Sequence, residues 1–473
     1  MPRIAHKTAT ALLVAAALFM EILDSTIITT ALPAMAQDFA VPAAHLSVGV
    51  SAYLVAVTIF IPISGWAADR FGARRIFALA IIVFILASVL CGASTTLNEF
   101  TAARVLQGLG GAMMVPVGRL VVLRNLPKEE IVKSMAILTW PALSAPLIGP
   151  VLGGWIAENW HWSWIFYMNV PLGLVALGFT FWLLDSQKGE HQQFDVKGFL
   201  LSGTGFGLFM AGLESFSSRP DDITLPSVLV IAGLLVLIIT VRHMLSAPAP
   251  LFSLDALRFK TFRTTMLGGS IIRISLSATP FLIPLMLQLG MGYSAVEAGT
   301  VLLWLFAGNL LIKPATTWIM NQFGFKNVLV CNTILIAAGF VALAFCDKST
   351  SGLVLGLILF FSGMARSMHL TVLNTLGFAD IPQYKMRDAN TLSAVLMQMN
   401  RGLGITIGAL ALALATIFLE GSNTDPNIAD FQLTMWMMAA ITMLSIIDSL
   451  SLKQSAGEAI LNKRKIRMSS AQK

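Results

Sequence analysis

Apolar runs close to membrane-helix length recur along the whole chain, at residues 9–31, 46–68, 76–93, 100–123, 135–157, 164–184, 198–214, 225–245, 265–289, 298–320, 328–345, 352–373, 391–419 and 433–452. Crossing a bilayer as a helix takes about 20 such residues, so the pattern predicts fourteen transmembrane helices. The polar stretches between them are shorter than the roughly 50 residues a soluble domain needs. The first run follows Arg3, His6 and Lys7, as the core of a signal peptide would. It continues past Asp24 to Ala31, however, and is read as an uncleaved first helix.

The basic residues alternate from loop to loop. With the N-terminus inside, the cytoplasmic segments hold 23 of the 31 Lys and Arg, and the opposite loops hold two, Arg219 and Lys348. The other six, Arg104, Arg119, Arg273, Lys313, Arg366 and Arg401, fall within apolar runs. This asymmetry predicts that both termini are cytoplasmic. The aromatic loop Asn159-Trp-His-Trp-Ser-Trp164 suits an interface anchor.

The pattern also repeats. Trp66-Ala-Ala-Asp-Arg-Phe-Gly-Ala-Arg74 is echoed by Trp318-Ile-Met-Asn-Gln-Phe-Gly-Phe-Lys326, and Leu32-Pro-Ala-Met-Ala-Gln37 by Ile283-Pro-Leu-Met-Leu-Gln288. Helix two thus matches helix ten, and helix one matches helix nine. Such parallel repeats are a transporter architecture. The predicted fold is an all-α polytopic membrane protein: a six-helix half over 1–185, a linker and two inserted helices over 186–263, a second half over 264–452, and a basic tail over 453–473.

Composition agrees. The 473 residues are 56% hydrophobic and 12% charged, with mean hydropathy +0.79, which excludes a soluble protein of this length. The net charge of +7 belongs to the cytoplasmic loops and does not call for nucleic acid. Cys91, Cys331 and Cys346 fall in predicted apolar segments and suggest neither a disulfide framework nor a metal site. No phosphate-binding loop of the Gly-x-x-x-x-Gly-Lys-Ser/Thr kind is present, which argues against drive by ATP. Six scattered histidines offer no catalytic cluster for an intramembrane enzyme.

Intramembrane ionisable groups then carry the chemistry. Glu21 and Asp24 share one face of helix one. Asp24 and Arg104 both fall on the order of 10 Å below the outer surface, from a rise of roughly 1.5 Å per residue. A buried guanidinium needs an acidic partner. The pair is either a proton-coupling device or a static ion pair. Helix one is expected to line a path through the membrane. Glu21, one turn deeper, either binds a cationic substrate or a second proton, or is a neutral carboxylic acid held by a neighbouring helix. Asp69 is suited to the positive N-terminus of a second-half helix, near Asp388–Thr391 of helix thirteen. Gly65 permits close helix approach. Ala145, Gly149 and Gly153 form a small-residue stripe, while Pro141, Pro146 and Pro150 invite bends. The second half is basic within the membrane. Arg366 and His369 share a face, and with Arg273, Lys313 and Arg401 they make an anionic or zwitterionic substrate plausible.

Several motifs match a known family. Leu23-Asp-Ser-Thr-Ile-Ile-Thr-Thr-Ala-Leu-Pro33, Gly65-Trp-Ala-Ala-Asp-Arg-Phe-Gly-Ala-Arg-Arg75, Arg104-Val-Leu-Gln-Gly-Leu-Gly-Gly111, Gly149-Pro-Val-Leu-Gly-Gly154 and Trp164-Ile-Phe-Tyr-Met-Asn-Val-Pro-Leu-Gly173 resemble signatures of the major facilitator superfamily's fourteen-helix drug:proton antiporters, the EmrB/QacA type. Thr29 departs from the family's usual Asn, and an acid at position 21 is unusual. The resemblance implies a proton-coupled exporter of small organic molecules in a bacterial inner membrane. Such an exporter is driven by the proton gradient without other cofactor, functions as a monomer, and in some relatives has a periplasmic adaptor. It implies proton coupling at Asp24, Arg104 and Glu21. It also implies a cytoplasmic latch at Gly65, Asp69, Gly72 and Arg74, and conformational gating at Gly149, Pro150, Gly153 and Gly154. The substrate-cavity candidates are Glu21, Gln107, Arg273, Arg366, His369 and Arg401. A specific exporter of an anionic metabolite or siderophore is the alternative, ahead of a non-transporting receptor or scaffold.

Overall fold

The structure, a computed structural model, describes residues 3–123, 128–184, 193–218, 223–382, 385–420 and 426–452. The linker core at 185–192, Arg219 and the tail at 453–473 lie outside the described residues, as does the Pro141 side chain. Every regular element among the described residues is helical. Lipid leaves a spanning backbone no water to bond, so each segment satisfies its own N–H and C=O groups as a helix.

The chain clusters into two compact units. The first is Met1–Leu251 with Tyr293–Thr300, and the second is Phe252–Gly292 with Val301–Lys473. The first unit holds α1 (Arg3–Ile27), α2 (Ser47–Phe71), α3 (Ala73–Ala93), α4 (Leu97–Leu123), α5 (Lys128–Asn159), α6 (Asn169–Leu183), α7 (Val196–Ser218) and α8 (Thr224–Ser246). The second holds α9 (Ser270–Leu285), most of α10 (Ala295–Leu311), α11 (Phe325–Ala344), α12 (Gly352–Gly377), α13 (Met386–Glu420) and α14 (Ile428–Leu444). Thirteen helices among the described residues are long and apolar enough to cross a membrane. The other expected span, 135–157, lies inside the 32-residue α5.

Both units are wired alike. In the first, α1 packs on α5 and α6, and α3 packs on α4 and α6; in the second, α9 packs on α13 and α14, and α11 on α12 and α14. The echoed loops share a backbone form. Gly72 (φ 95°) and Gly324 (φ 78°) both take positive φ as they start the next helix, a conformation that favours glycine. Each is preceded by an edge-to-face ring pair, Trp66–Phe71 and Trp318–Phe323. Two further echoes appear only in three dimensions. Gly108 abuts the Tyr53 carbonyl as Gly363 abuts that of Leu305, and Gly149 and Gly153 of α5 lie against α1 as Gly404 and Gly408 of α13 lie against α9.

The inserted helices α7 and α8 pair with each other, and α7 runs along α2. The rings of Phe194 and Trp66 stand 4.8 Å apart, and those of Phe199 and Phe60 5.7 Å apart. Asp195 caps α7 by accepting from the Gly198 N–H at 2.8 Å, and it also bonds His243 Nε2 (2.9 Å) and the Leu251 N–H (3.1 Å). Burial works against its charge, but these bonds together hold the carboxyl below the usual carboxylate range. A depressed folded pKa adds stability above the unfolded value, and that stability is lost as pH falls through the folded value. Asp195→Ala is therefore expected to lower the stability of the purified protein by about 1 kcal/mol, typical of a lost helix cap. In thermal unfolding the deficit should be present at pH 7 and fade as the medium is acidified.

Candidate functional site

Asp24 lies at the centre of the first unit, 1% exposed. Its Oδ2 accepts from Arg104 Nη1 at 2.7 Å, and its Oδ1 accepts from Gln107 Nε2 at 2.9 Å and Asn169 Nδ2 at 2.7 Å. Arg104, Gln107 and Asn169 are as buried as Asp24 itself. Four helices supply the cage: α1 the acid, α4 Arg104 and Gln107 one turn apart, α6 Asn169 at its start, and α3 Ser88. Ser88 Oγ accepts from Gln107 at 2.9 Å and Asn169 at 3.3 Å, and it donates to the Phe84 carbonyl at 2.8 Å. The Arg104 guanidinium also donates through Nη1 to Gln107 Oε1 and through Nε to the Gly49 carbonyl of α2. It lies 4.5 Å from the Tyr53 ring centroid and 5.9 Å from that of Phe166. Arg104 Nη2 makes no hydrogen bond among the described residues.

Every group facing the Asp24 carboxylate is a donor, so the cage fits the ionised form. A neutral carboxylic acid accepts hydrogen bonds more weakly than a carboxylate and loses the charge-assisted bond to Arg104. Protonation therefore loosens the grip of all three donors on Asp24. This donor set links the charge on one acid to the positions of α4 and α6.

Asp24 points into the packed interior, since α3, α4 and α6 all converge on it. The half-buried acid is Glu21, which accepts from Tyr53 OH at 3.2 Å. Tyr53 thus touches Glu21 with its hydroxyl and Arg104 with its ring. Beyond the cage, Phe39, Phe100, Trp162 and Phe166 pack ring on ring. Trp162 Nε1 donates to Asp38 at 2.6 Å, which ties the aromatic loop to the end of the first span.

The stripe on α5 packs as its spacing predicts. A Cβ on Gly149 would overlap Thr26 Oγ1, one on Gly153 the Ile27 carbonyl, and one on Gly154 the Ala295 carbonyl. Thr30 Oγ1 donates to the Pro150 carbonyl at 2.9 Å. In the loop after α2, Arg74 lies over the Phe181 ring of α6 at 5.3 Å. Gly65 departs from expectation. Among the described residues, no atom comes within 4 Å of a Cβ built there.

Residues 14–409 match the Major Facilitator Superfamily profile. The chain belongs to the Major Facilitator Superfamily. It is 35% identical over 434 residues to a protein of Enterobacter sp. (strain 638) that carries the name multidrug resistance protein MdtD, covering 91% of this chain and 92% of that one. It is 36% identical over 440 residues to the protein of that name from Escherichia coli O157:H7, covering 92% and 91%. Its fold is that of a bacterial homologue of the human lysosomal transporter Spinster (TM-score 0.68, 12% identity, 94% of this chain and 96% of that one). The xylose transporter XylE from E. coli is also similar (TM-score 0.62, 13% identity, 94% and 97%). This superfamily member is a multi-pass membrane transporter.

The transporter's second unit sets two of its arginines on neutral acceptors. Arg273 donates through Nη1 to the Thr265 carbonyl at 2.5 Å and through Nη2 to Asn374 at 3.2 Å. Arg366 donates to Thr279 Oγ1 at 2.6 Å and to the Leu276 carbonyl. Neither forms an ion pair among the described residues. His369 is buried on the same face of α12 as Arg366. Arg401 is exposed on α13, within 3.4 Å of Gln398 Oε1, and Lys313 donates to Thr371 Oγ1 at 3.1 Å. No group of three or more His, Cys, Asp or Glu able to hold a metal ion occurs among the described residues.

Sequence reasoning paired Asp24 with Arg104 and left out Asn169, Ser88 and Tyr53. Asn169 carried a signal, as an amide inside an otherwise apolar run. Ser88 and Tyr53 carried none, because single hydroxyls are common in such helices. Gln107, read as a substrate-cavity candidate, is buried in this structure and bonds Arg104, Asp24 and Ser88.

Proposed function

We propose that this transporter is a proton-driven exporter of small organic molecules in a bacterial inner membrane, with Asp24 as the coupling carboxylate and both termini cytoplasmic. The observation that carries this reading is the donor-only cage. It stabilises an ionised Asp24 and holds that acid less tightly once it takes a proton. Protons reach the cage through Glu21 and Tyr53, or when α4 and α6 part from α1. Alternating access then follows from rocking of the two repeats. Gly65, Asp69, Gly72 and Arg74 take the latch role that their motif carries in the superfamily, and Gly149, Pro150, Gly153 and Gly154 take the role of packing seam for the moving helices. The names of the relatives favour a broad range of lipophilic compounds. Arg273 and Arg366, two guanidiniums without a carboxylate partner among the described residues, favour an organic anion as the second reading.

Everted membrane vesicles under an imposed pH gradient decide between these. Ethidium and carboxyfluorescein are offered side by side, as a cationic and an anionic dye. Gradient-dependent accumulation of ethidium, lost on collapse of the gradient, supports the first reading. Accumulation of carboxyfluorescein alone supports the second. Accumulation of either dye without a gradient contradicts proton drive.

A further inference from the structure

The inserted hairpin carries a buried acid that the coupling site does not use. Glu214, near the end of α7, is 7% exposed. Its Oε2 accepts from Ser47 Oγ at 3.0 Å and its Oε1 from Ser51 Oγ at 2.6 Å. Ser47 and Ser51 are one turn apart on the same face of α2. Gly49 and Tyr53 each lie two residues on from them, about 200° round the helix. These are the residues of α2 that meet Arg104: the Gly49 carbonyl accepts from its Nε at 3.4 Å, and the Tyr53 ring lies beneath its guanidinium. Gly49 packs tightly, because a Cβ there would fall 2.5 Å from Phe100. Helix α2 is thus held from behind by Glu214 while its opposite face contacts the coupling arginine.

We infer that Glu214 is a positioning residue of the coupling site, acting through α2. It holds two hydroxyls of that helix so that Gly49 and Tyr53 stay against Arg104, and Arg104 stays aimed at Asp24. The hairpin would then serve as a brace that sets how firmly the Asp24 carboxylate is bound. Burying an acid in a membrane helix is costly. Packing an inserted hairpin against α2 would not need a carboxyl, because Phe194 on Trp66 and Phe199 on Phe60 already do that. Among the described residues, His45 is the titratable group on the short turn Ala43–Leu46, which leads into α2 and touches α7. Asp69 and Arg70 on α2, and Arg242 and His243 on α8, belong to the far ends of their helices.

This inference rests on Asp24 being the coupling acid, and the test separates the two. In everted vesicles, dye accumulation is measured against pH for the intact protein, Glu214→Ala, Glu214→Gln, and Ser47→Ala with Ser51→Ala, each matched for membrane abundance. Loosening α2 weakens the grip of Arg104 on the Asp24 carboxylate, which then keeps its proton to higher pH. Glu214→Ala is expected to move the pH of half-maximal transport upward by about half a unit or more. The serine pair should move it as far, and adding Glu214→Ala to the serine pair should move it no further. Glu214→Gln keeps an acceptor and gains a donor for the two serines, and it should restore the original midpoint. A midpoint unchanged by Glu214→Ala overturns the inference. So does a glutamine variant that shifts as far as alanine, because the acid would then be acting by charge. If the intact protein shows no gradient-driven transport, the coupling reading fails on its own. Hydrogen–deuterium exchange on the purified proteins then decides the brace: faster exchange around Gly49 and Arg104 in Glu214→Ala, but not in Glu214→Gln, supports it, and equal exchange overturns it.

Discussion

Asp24→Asn is expected to reduce proton-driven transport by about 100-fold or more, the scale on which a positioned proton-transfer group acts. Two consequences of the cage lead there. The amide cannot give up a proton at any working pH. Its Nδ2 also has to face either Arg104 or the pair Gln107 and Asn169, donor against donor, where the carboxylate accepted from all three. Arg104 is then a buried charge without its counter-ion, and removing one partner of such a pair costs about 3–5 kcal/mol. Lost transport could therefore reflect lost folding, and a double variant separates the two. Asp24→Asn with Arg104→Gln removes the uncompensated charge, so membrane abundance and thermal stability should recover. Transport measured in the same vesicles should stay absent. If transport returns along with stability, the pair is a static ion pair and the proton passes elsewhere.

Gly153→Ala is expected to be the most damaging single-methyl change on α5. The added carbon would meet the Ile27 carbonyl and lie 2.7 Å from Thr30 Oγ1, and backbone atoms cannot rotate away. Overpacking of this kind costs about 1–3 kcal/mol, measured as a lowered unfolding temperature in detergent, with transport slowed in parallel. Gly65→Ala is the contrast. Open space beside it predicts a stability change within about 0.5 kcal/mol. If Gly65→Ala abolishes transport while stability holds, that glycine is needed in a conformation other than the one described.

The fold was largely legible in the sequence because lipid imposes a strong pattern: a span must be apolar for about 20 residues, and thirteen such spans occur where the runs lie. The repeat was legible where a positive-φ glycine and its ring pair fix the sequence, at Trp66–Gly72 and Trp318–Gly324. It was hidden where the contact needs only a missing Cβ, as at Gly404 and Gly408, since glycines are common in membrane helices. The Asp24–Arg104 pair was legible because two opposite charges at one depth in hydrocarbon have few other partners. The rest of the cage was not. Tyr53, Ser88 and Asn169 are neutral, and what selects them is the convergence of α2, α3 and α6 around the Asp24–Arg104 pair. The prolines of α5 lie within a helix that runs from Lys128 to Asn159, and the Pro150 carbonyl accepts from Thr30.

The central claim is that Asp24 exchanges a proton against substrate, and counting protons tests it most directly. Purified protein in weakly buffered detergent solution is mixed with whichever dye the vesicles accumulate, and the pH change is recorded. The account predicts release on the order of one proton per dye bound by the intact protein, and none by the Asp24→Asn and Arg104→Gln double variant even where dye still binds. Equal proton release by both proteins would contradict it.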